Sequence, residues 1–178
     1  MKIHGSQSLT HSARLVFETL RDKTPELVAI MPNIEGVEVL SREEQPPVVK
    51  LHNRWQGAQS DVPAVARPFV KKDLIAWFDR AAWNEETLSC EWKIEAVVGR
   101  DCFSCMGTTV ITADGEDRSH FTLEGELSID PDHVPGVPKF LARKVRAPLE
   151  RFIARAISPN LTGIASAVQR YLDGQRGG

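Results

Sequence analysis

Four tryptophans, Trp55, Trp77, Trp83 and Trp92, fall within one stretch of the chain that also holds Asn53 and Asp79. Aromatic rings beside a few fixed polar groups are the usual lining of a small-molecule site. The competing reading is plain core packing. Asp79 lies two residues from both Trp77 and Ala81, so on a strand the three share a face. A carboxyl held among aromatic rings loses hydration, its pKa rises, and it can serve as a general base. Alternatively Asp79 is exposed, or pairs with Arg80 or another basic group. Asn53 shares a face with Trp55, and a buried amide there needs hydrogen-bond partners, from a ligand or from an internal water.

Other chemistry-bearing residues carry weaker patterns. Cys102-Phe103-Ser104-Cys105 is a CxxC. A redox CxxC needs the turn before a helix, where the first thiol becomes acidic. Here the pair falls on a strand, with the two side chains on opposite faces and about 10 Å apart. That is too far for a disulfide. Zinc would need further ligands, and Cys90 is the only other cysteine. His4, His11, His52, His120 and His133 are scattered, with His52 and His120 on outward strand faces. No nucleophile elbow, phosphate loop or dinucleotide fingerprint is present. The sequence therefore nominates no catalytic residue, no metal site and no cofactor.

The elements that position these residues follow from hydrophobic period. Residues 2–9 alternate and predict a first strand. Thr10 or Ser12 can cap a short helix whose apolar residues are Ala13, Val16, Phe17 and Leu20. Pro25 suits the first turn of a second short helix, Glu26 to Ile30. Val37 and Val39 then alternate with Glu38, and Gln45-Pro46-Pro47 marks a turn. Val49, Leu51, Asn53 and Trp55 share the inner face of the next strand, with Lys50, His52, Arg54 and Gln56 on the outer. Residues 57–68 read as a loop. Residues 74–83 fit either a helix face or a strand, and their place between strand-like segments favours a strand. Leu88, Cys90, Trp92 and Ile94 alternate with polar residues in the clearest half-buried strand of the chain. Gly99-Arg100-Asp101 suggests a turn, and residues 102–112 another strand. Ala113-Asp114-Gly115-Glu116 predicts a hairpin. Phe121, Leu123, Leu127 and Ile129 line the inner face of the last strand, with Gly125 placed to permit a bend or bulge.

The period then returns to helical. Leu141, Val145, Leu149, Phe152, Ile153, Ala156 and Ile157 form an apolar stripe, continued by Ile164, Ala165, Val168 and Leu172. Pro148 should kink this helix, and Ser158-Pro159 can break and recap it. The predicted class is α+β. A curved antiparallel sheet of six or seven strands grips a long C-terminal helix, with two short helices after the first strand, in one domain spanning 1–178.

Bulk properties narrow the function. The apolar share of 42% and charged share of 26% are those of a globular protein. A net charge of −2 argues against a polyanion binder, so no nucleic-acid partner is expected. Met1-Lys2-Ile3-His4-Gly5-Ser6 holds no apolar h-region, so no secretory signal is expected, and no apolar run approaches the length of a membrane span. Three cysteines suit a reducing compartment, so the expected location is cytoplasmic. Asn160-Leu161-Thr162 is accordingly a chance sequon. Residues 138–157 carry a net charge of +5. A basic amphipathic helix can lie on an anionic membrane. The competing reading is a solvated face, or one that pairs with acidic strand residues such as Glu124 and Glu126.

The element order, the segment Met31-Pro32-Asn33-Ile34-Glu35-Gly36-Val37-Glu38 and the C-terminal helix resemble the START-like (SRPBCC) helix-grip superfamily of polyketide cyclases, lipid-transfer proteins and pollen allergens. The run Ala156-Ile157-Ser158-Pro159-Asn160-Leu161 is similar to the last helix of PRELI-type phospholipid carriers. The resemblance covers nearly the whole chain and implies a pocket between sheet and helix, with no particular reaction. On that expectation the strands contribute Asn53, Trp55, Trp77, Asp79 and Trp83, then Cys90, Trp92, Phe103, Phe121 and Leu123. The helix contributes Leu149 and Phe152. The expected function is binding or transport of a lipid or other apolar small molecule. Cyclase or aromatase chemistry in the same pocket and a membrane-surface role are the alternatives.

Overall fold

The computed structural model describes residues 1–31, 33–59, 72–98, 103–129 and 163–176. The basic segment 138–157, with Leu149 and Phe152, lies outside the described residues. So do Cys102, Pro148, Pro159, the predicted turn at 99–101 and most of the predicted loop at 57–68.

Seven strands form one antiparallel sheet: β1 (Lys2–Leu9), β2 (Ile34–Gln45), β3 (Val48–Gly57), β4 (Ala76–Asn84), β5 (Ser89–Ala96), β6 (Phe103–Ala113) and β7 (Ser119–Ile129). Their order across the sheet is β1-β7-β6-β5-β4-β3-β2. Six consecutive strands pair as hairpin neighbours, and β1 closes against β7 at the far edge. β2 is the other edge. Its second half, Leu-Ser-Arg-Glu-Glu-Gln, is exposed throughout, and its register slips between Val39 and Ser41. Charges and a bulge at an edge discourage pairing with another chain.

Two helices, α1 (Ala13–Asp22) and α2 (Thr24–Val28), follow β1. Ala13, Val16, Phe17 and Leu20 are the buried stripe of α1. Ser12 stands at its N-cap without a side-chain cap bond, and Thr10 is engaged elsewhere. α2 begins two residues earlier than its apolar pattern implied, with Pro25 in its first turn. Near the C-terminus, residues 163–176 form helix α3.

The α3 helix turns Ala165, Val168 and Leu172 into the main core, beside Phe17, Trp83, Trp92 and Phe121. Ala167 joins a second cluster with Val28, Met31, Ile34 and Trp55. Polar ties fix its position. Gln169 donates to Thr10 Oγ1 (2.7 Å) and accepts from the Thr10 backbone N–H (2.9 Å). Ser166 donates to Gln7 (2.8 Å), and Arg170 to the Ile30 carbonyl (3.0 Å). His11 is fully buried and bonds Asp173 through Nε2 at 2.9 Å. These bonds place α3 across the end of the sheet where β1 and the two short helices meet.

Two sequence expectations need correction. Leu88 does not open β5. It sits in the preceding turn with φ of 48°, where it still packs on the core. Gly125 causes no bulge, because pairing of β6 with β7 runs unbroken through Gly107↔Gly125. Its role is steric, as described below. The ambiguous segment 74–83 resolves into a 3₁₀ turn, Lys72–Ile75, followed by β4.

Candidate functional site

The inner faces of β3 to β7 meet α1, α3 and the residues after α2 around a cavity of about 100 Å³. All four tryptophans border it, together with Asp79, Cys90, Phe121 and Leu123. The opposite wall comes from Leu20, Met31, Ile34 and Ile164. Alternation on the strands explains the arrangement, since residues two apart on β3, β4 and β5 project to the same side. Trp55 stands opposite Trp77 across the β3–β4 ladder. Their rings stack with centroids 6.2 Å apart and planes 7° from parallel. Trp83 meets Phe17 of α1 edge-on at 5.4 Å.

Trp92 lies flat because two glycines make room for it. A Cβ at Gly107 would fall 2.5 Å from its Cζ2, and one at Gly125 would fall 2.6 Å from its Cη2. The indole therefore extends from β5 across β6 toward β7. Its N–H donates to Thr109 Oγ1 at 3.2 Å. The ring forms the floor of the cavity rather than filling it.

The polar end of the cavity is built on β3 and β4. Asn53 stands opposite Asp79 in the ladder and donates its amide N–H to Asp79 Oδ2 at 3.3 Å. Asn53 is 2% exposed, and its carbonyl oxygen has no partner among the described residues. It sits behind the carboxylate rather than on the cavity wall. The Trp55 indole N–H makes no bond of ordinary geometry, yet it lies close enough to Asp79 to favour the charged form. Loss of hydration dominates over both N–H groups and pushes the Asp79 carboxyl up to about 6. Asp79 is partly buried and borders the cavity. The sequence had offered Arg80 as its partner. Arg80 instead points outward and pairs with Glu95 at 3.2 Å. A strand puts adjacent residues on opposite faces, so that pairing was excluded once β4 formed.

The two described thiols, Cys90 and Cys105, are not reactive groups. Burial pushes Cys90 well above its usual range, with the Asp79 charge adding to the effect. Burial likewise raises Cys105 to about 11. Among the described residues no cluster of three or more His, Cys, Asp or Glu could hold a metal ion. Phe103 begins β6, but its side chain lies outside the described residues. His120 points outward and bonds Ser6 (2.8 Å) and Ser8 (3.3 Å). A wider depression of about 620 Å³ lies on the outer face of the sheet, among Glu43, Lys50, Arg80, Glu91, Lys93 and Met106. It opens to solvent between charged side chains. The aromatic cavity, less open and lined almost wholly by apolar side chains, is the better-formed ligand site.

No family model matches the chain, and no curated protein matches it. Solved structures do. A Thermus thermophilus protein, TTHA0849, superposes with a TM-score of 0.65 at 15% identity, covering 96% of this chain and 99% of its own. The Zhui aromatase/cyclase from Streptomyces sp. R1128 superposes at 0.66 and 14% identity, covering 97% and 95%. Norcoclaurine synthase from Thalictrum flavum superposes at 0.59 and 15% identity, covering 97% and 86%. At such identities the likeness concerns the fold, and the chain has the START-like helix-grip fold that its element order resembled. No helix among the described residues is long and apolar enough to cross a membrane.

Proposed function

We propose that this protein binds a small apolar molecule in the cavity between its sheet and its C-terminal helix. The observation that carries this reading is an aromatic cavity with one polar end, where the Asp79 carboxyl borders the space beside a Trp55 indole N–H that has no hydrogen-bond partner among the described residues. A ligand group placed there would satisfy it, and buried polar groups strongly favour partners. Size narrows the class. The cavity approaches, without reaching, the roughly 150 Å³ of an engineered apolar cavity that holds benzene. A single ring or a short chain suits it better than a two-tailed lipid. Longer ligands would require α3 or the Met31 segment to move outward.

The test is native mass spectrometry of the purified protein, with solvent extraction, alongside tryptophan fluorescence against a series of single-ring and short-chain compounds. Retained ligand, or saturable fluorescence change, supports the reading. An empty protein whose fluorescence ignores the whole series refutes it.

Chemistry in the same cavity is the second reading, favoured by Asp79 alone. With its carboxyl at about 6, Asp79 is ionised at neutral pH and could accept a proton from a bound hydroxyl or activated C–H group. Two of the similar structures are an aromatase/cyclase and a norcoclaurine synthase. On this reading Asp79→Asn abolishes turnover of a substrate, and Asn53→Ala slows it. Full activity in both variants removes it.

A further inference from the structure

We infer that the cavity selects a small organic cation, an aryl or alkyl amine, over a neutral molecule of the same shape, with Asp79 as its counter-charge and the tryptophan faces as its walls. This rests on the cavity being the ligand site and goes further, by naming the charge of the ligand.

The argument is one of complementarity. Asp79 is the only charged side chain on the cavity wall among the described residues. It meets no cationic side chain among the described lining residues. Its support is two N–H groups, one from Asn53 at 3.3 Å and one from the nearby Trp55 indole. Two further polar groups on the described wall are engaged or weak. The Thr109 hydroxyl accepts from Trp92, and the Cys90 thiol donates weakly to the Glu91 carbonyl, at 3.6 Å. Apart from its indole N–H groups, the described wall offers acceptors and a single negative charge. A ligand rich in N–H donors and carrying positive charge answers it.

The rings answer it too. Aromatic faces attract cations through their quadrupole, tryptophan most strongly, and more so when water is excluded. Trp55, Trp77, Trp83 and Trp92 all border the same space as the carboxylate. Packing alone would be served by Leu or Phe. Four indoles around a single acid make a box suited to an ammonium group.

The pH dependence follows. Only the ionised carboxylate attracts the cation, so affinity holds above pH 6 and falls toward tenfold per pH unit below it. The other titratable group on the described wall, Cys90, is held well above its usual range and stays neutral throughout. Among the described residues, α1, α3 and the Met31 segment contribute Leu20, Ile164, Met31 and Ile34 to the wall, none of them titratable.

Benzylamine and benzyl alcohol make the test, because they share a ring and nearly the same size and differ in charge. Calorimetric titration of the full chain at pH 8 should show benzylamine binding at least tenfold more tightly. At pH 5 that advantage should largely vanish, while the alcohol's affinity stays constant. Asp79→Asn should remove the advantage at pH 8. Equal affinities at pH 8, or an amine preference unchanged at pH 5 and in Asp79→Asn, would overturn the inference and leave the apolar-ligand reading standing. If neither compound binds the wild-type chain at millimolar concentration, the inference fails. Binding of larger neutral apolar compounds in that case would preserve the broader reading, and no binding of any kind would end both.

Discussion

Replacing Asp79 by Asn should stabilise the protein at neutral pH and do nothing in acid. In the folded chain the Asp79 carboxyl titrates at about 6, against 3.8 for an ordinary aspartate. Between those values the folded chain holds a proton that the unfolded chain releases. Stability therefore falls as pH rises through this window, and the full penalty stands above pH 6. At 1.36 kcal/mol for each pKa unit, the penalty is about 3 kcal/mol. Asn has nearly the same shape, carries no charge and cannot incur it. Urea denaturation of the wild type and Asp79→Asn, from pH 4 to pH 8, measures the difference directly. The expected gain is about 2–3 kcal/mol at pH 8, shrinking to near zero at pH 4. A variant less stable than wild type at pH 8, or a difference that ignores pH, would refute the claim that desolvation controls this carboxyl. Such a gain marks a group that costs stability where it sits, a pattern common at functional sites.

Three other outcomes follow from the geometry. Gly125→Ala should cost about 1–3 kcal/mol in denaturant melts, because its Cβ would fall 2.6 Å from Trp92 and drive the indole off the cavity floor. The same variant should bind cavity ligands more weakly. His11→Ala should cost about 2–4 kcal/mol by removing both a fully buried ring and its 2.9 Å bond to Asp173. Asp173→Ala, at an exposed position, should cost clearly less in the same melts. Cys90 and Cys105, assayed in a Cys102→Ser background, should resist a thiol reagent in the native protein and react promptly in denaturant, since both are buried with raised pKa values.

Much of the fold was legible because strands with one buried face advertise it. Cys90, Trp92 and Ile94 are buried on β5, while Glu91 and Lys93 between them are exposed. The same alternation placed Val49, Leu51, Asn53 and Trp55 correctly on β3. Residues 74–83 were ambiguous because Leu74, Ile75, Trp77 and Phe78 satisfy helical spacing as well. What decides them is the pairing of Trp77 with Trp55 and of Asp79 with Asn53, a tertiary partnership that no local period contains. Leu88 was misplaced for a related reason. It continues the apolar alternation of β5 yet occupies a left-handed turn position that β-branched and bulky residues normally avoid.

The polar end of the cavity was half legible. Asn53 and Asp79 each stood out beside a tryptophan, but nothing local shows that they face each other across two strands. Arg80, next in sequence, was the more obvious partner for Asp79. The His11–Asp173 bond joins residues 162 positions apart and left no trace in either neighbourhood. Gly107 and Gly125 gave a signal, two glycines within strand patterns, whose meaning depends on a third residue, Trp92, on another strand.

The most direct test of the cavity as the ligand site uses its own four tryptophans. Their indole N–H groups give four signals in a proton–nitrogen NMR spectrum, and all four rings border the same space. Titration with a small aromatic ligand should move these signals together, saturably, with Trp55 among the largest because its N–H lacks a protein partner. Shifts confined to Lys50, Arg80 and Lys93 on the outer face of the sheet, with the indole signals unmoved, would contradict the account.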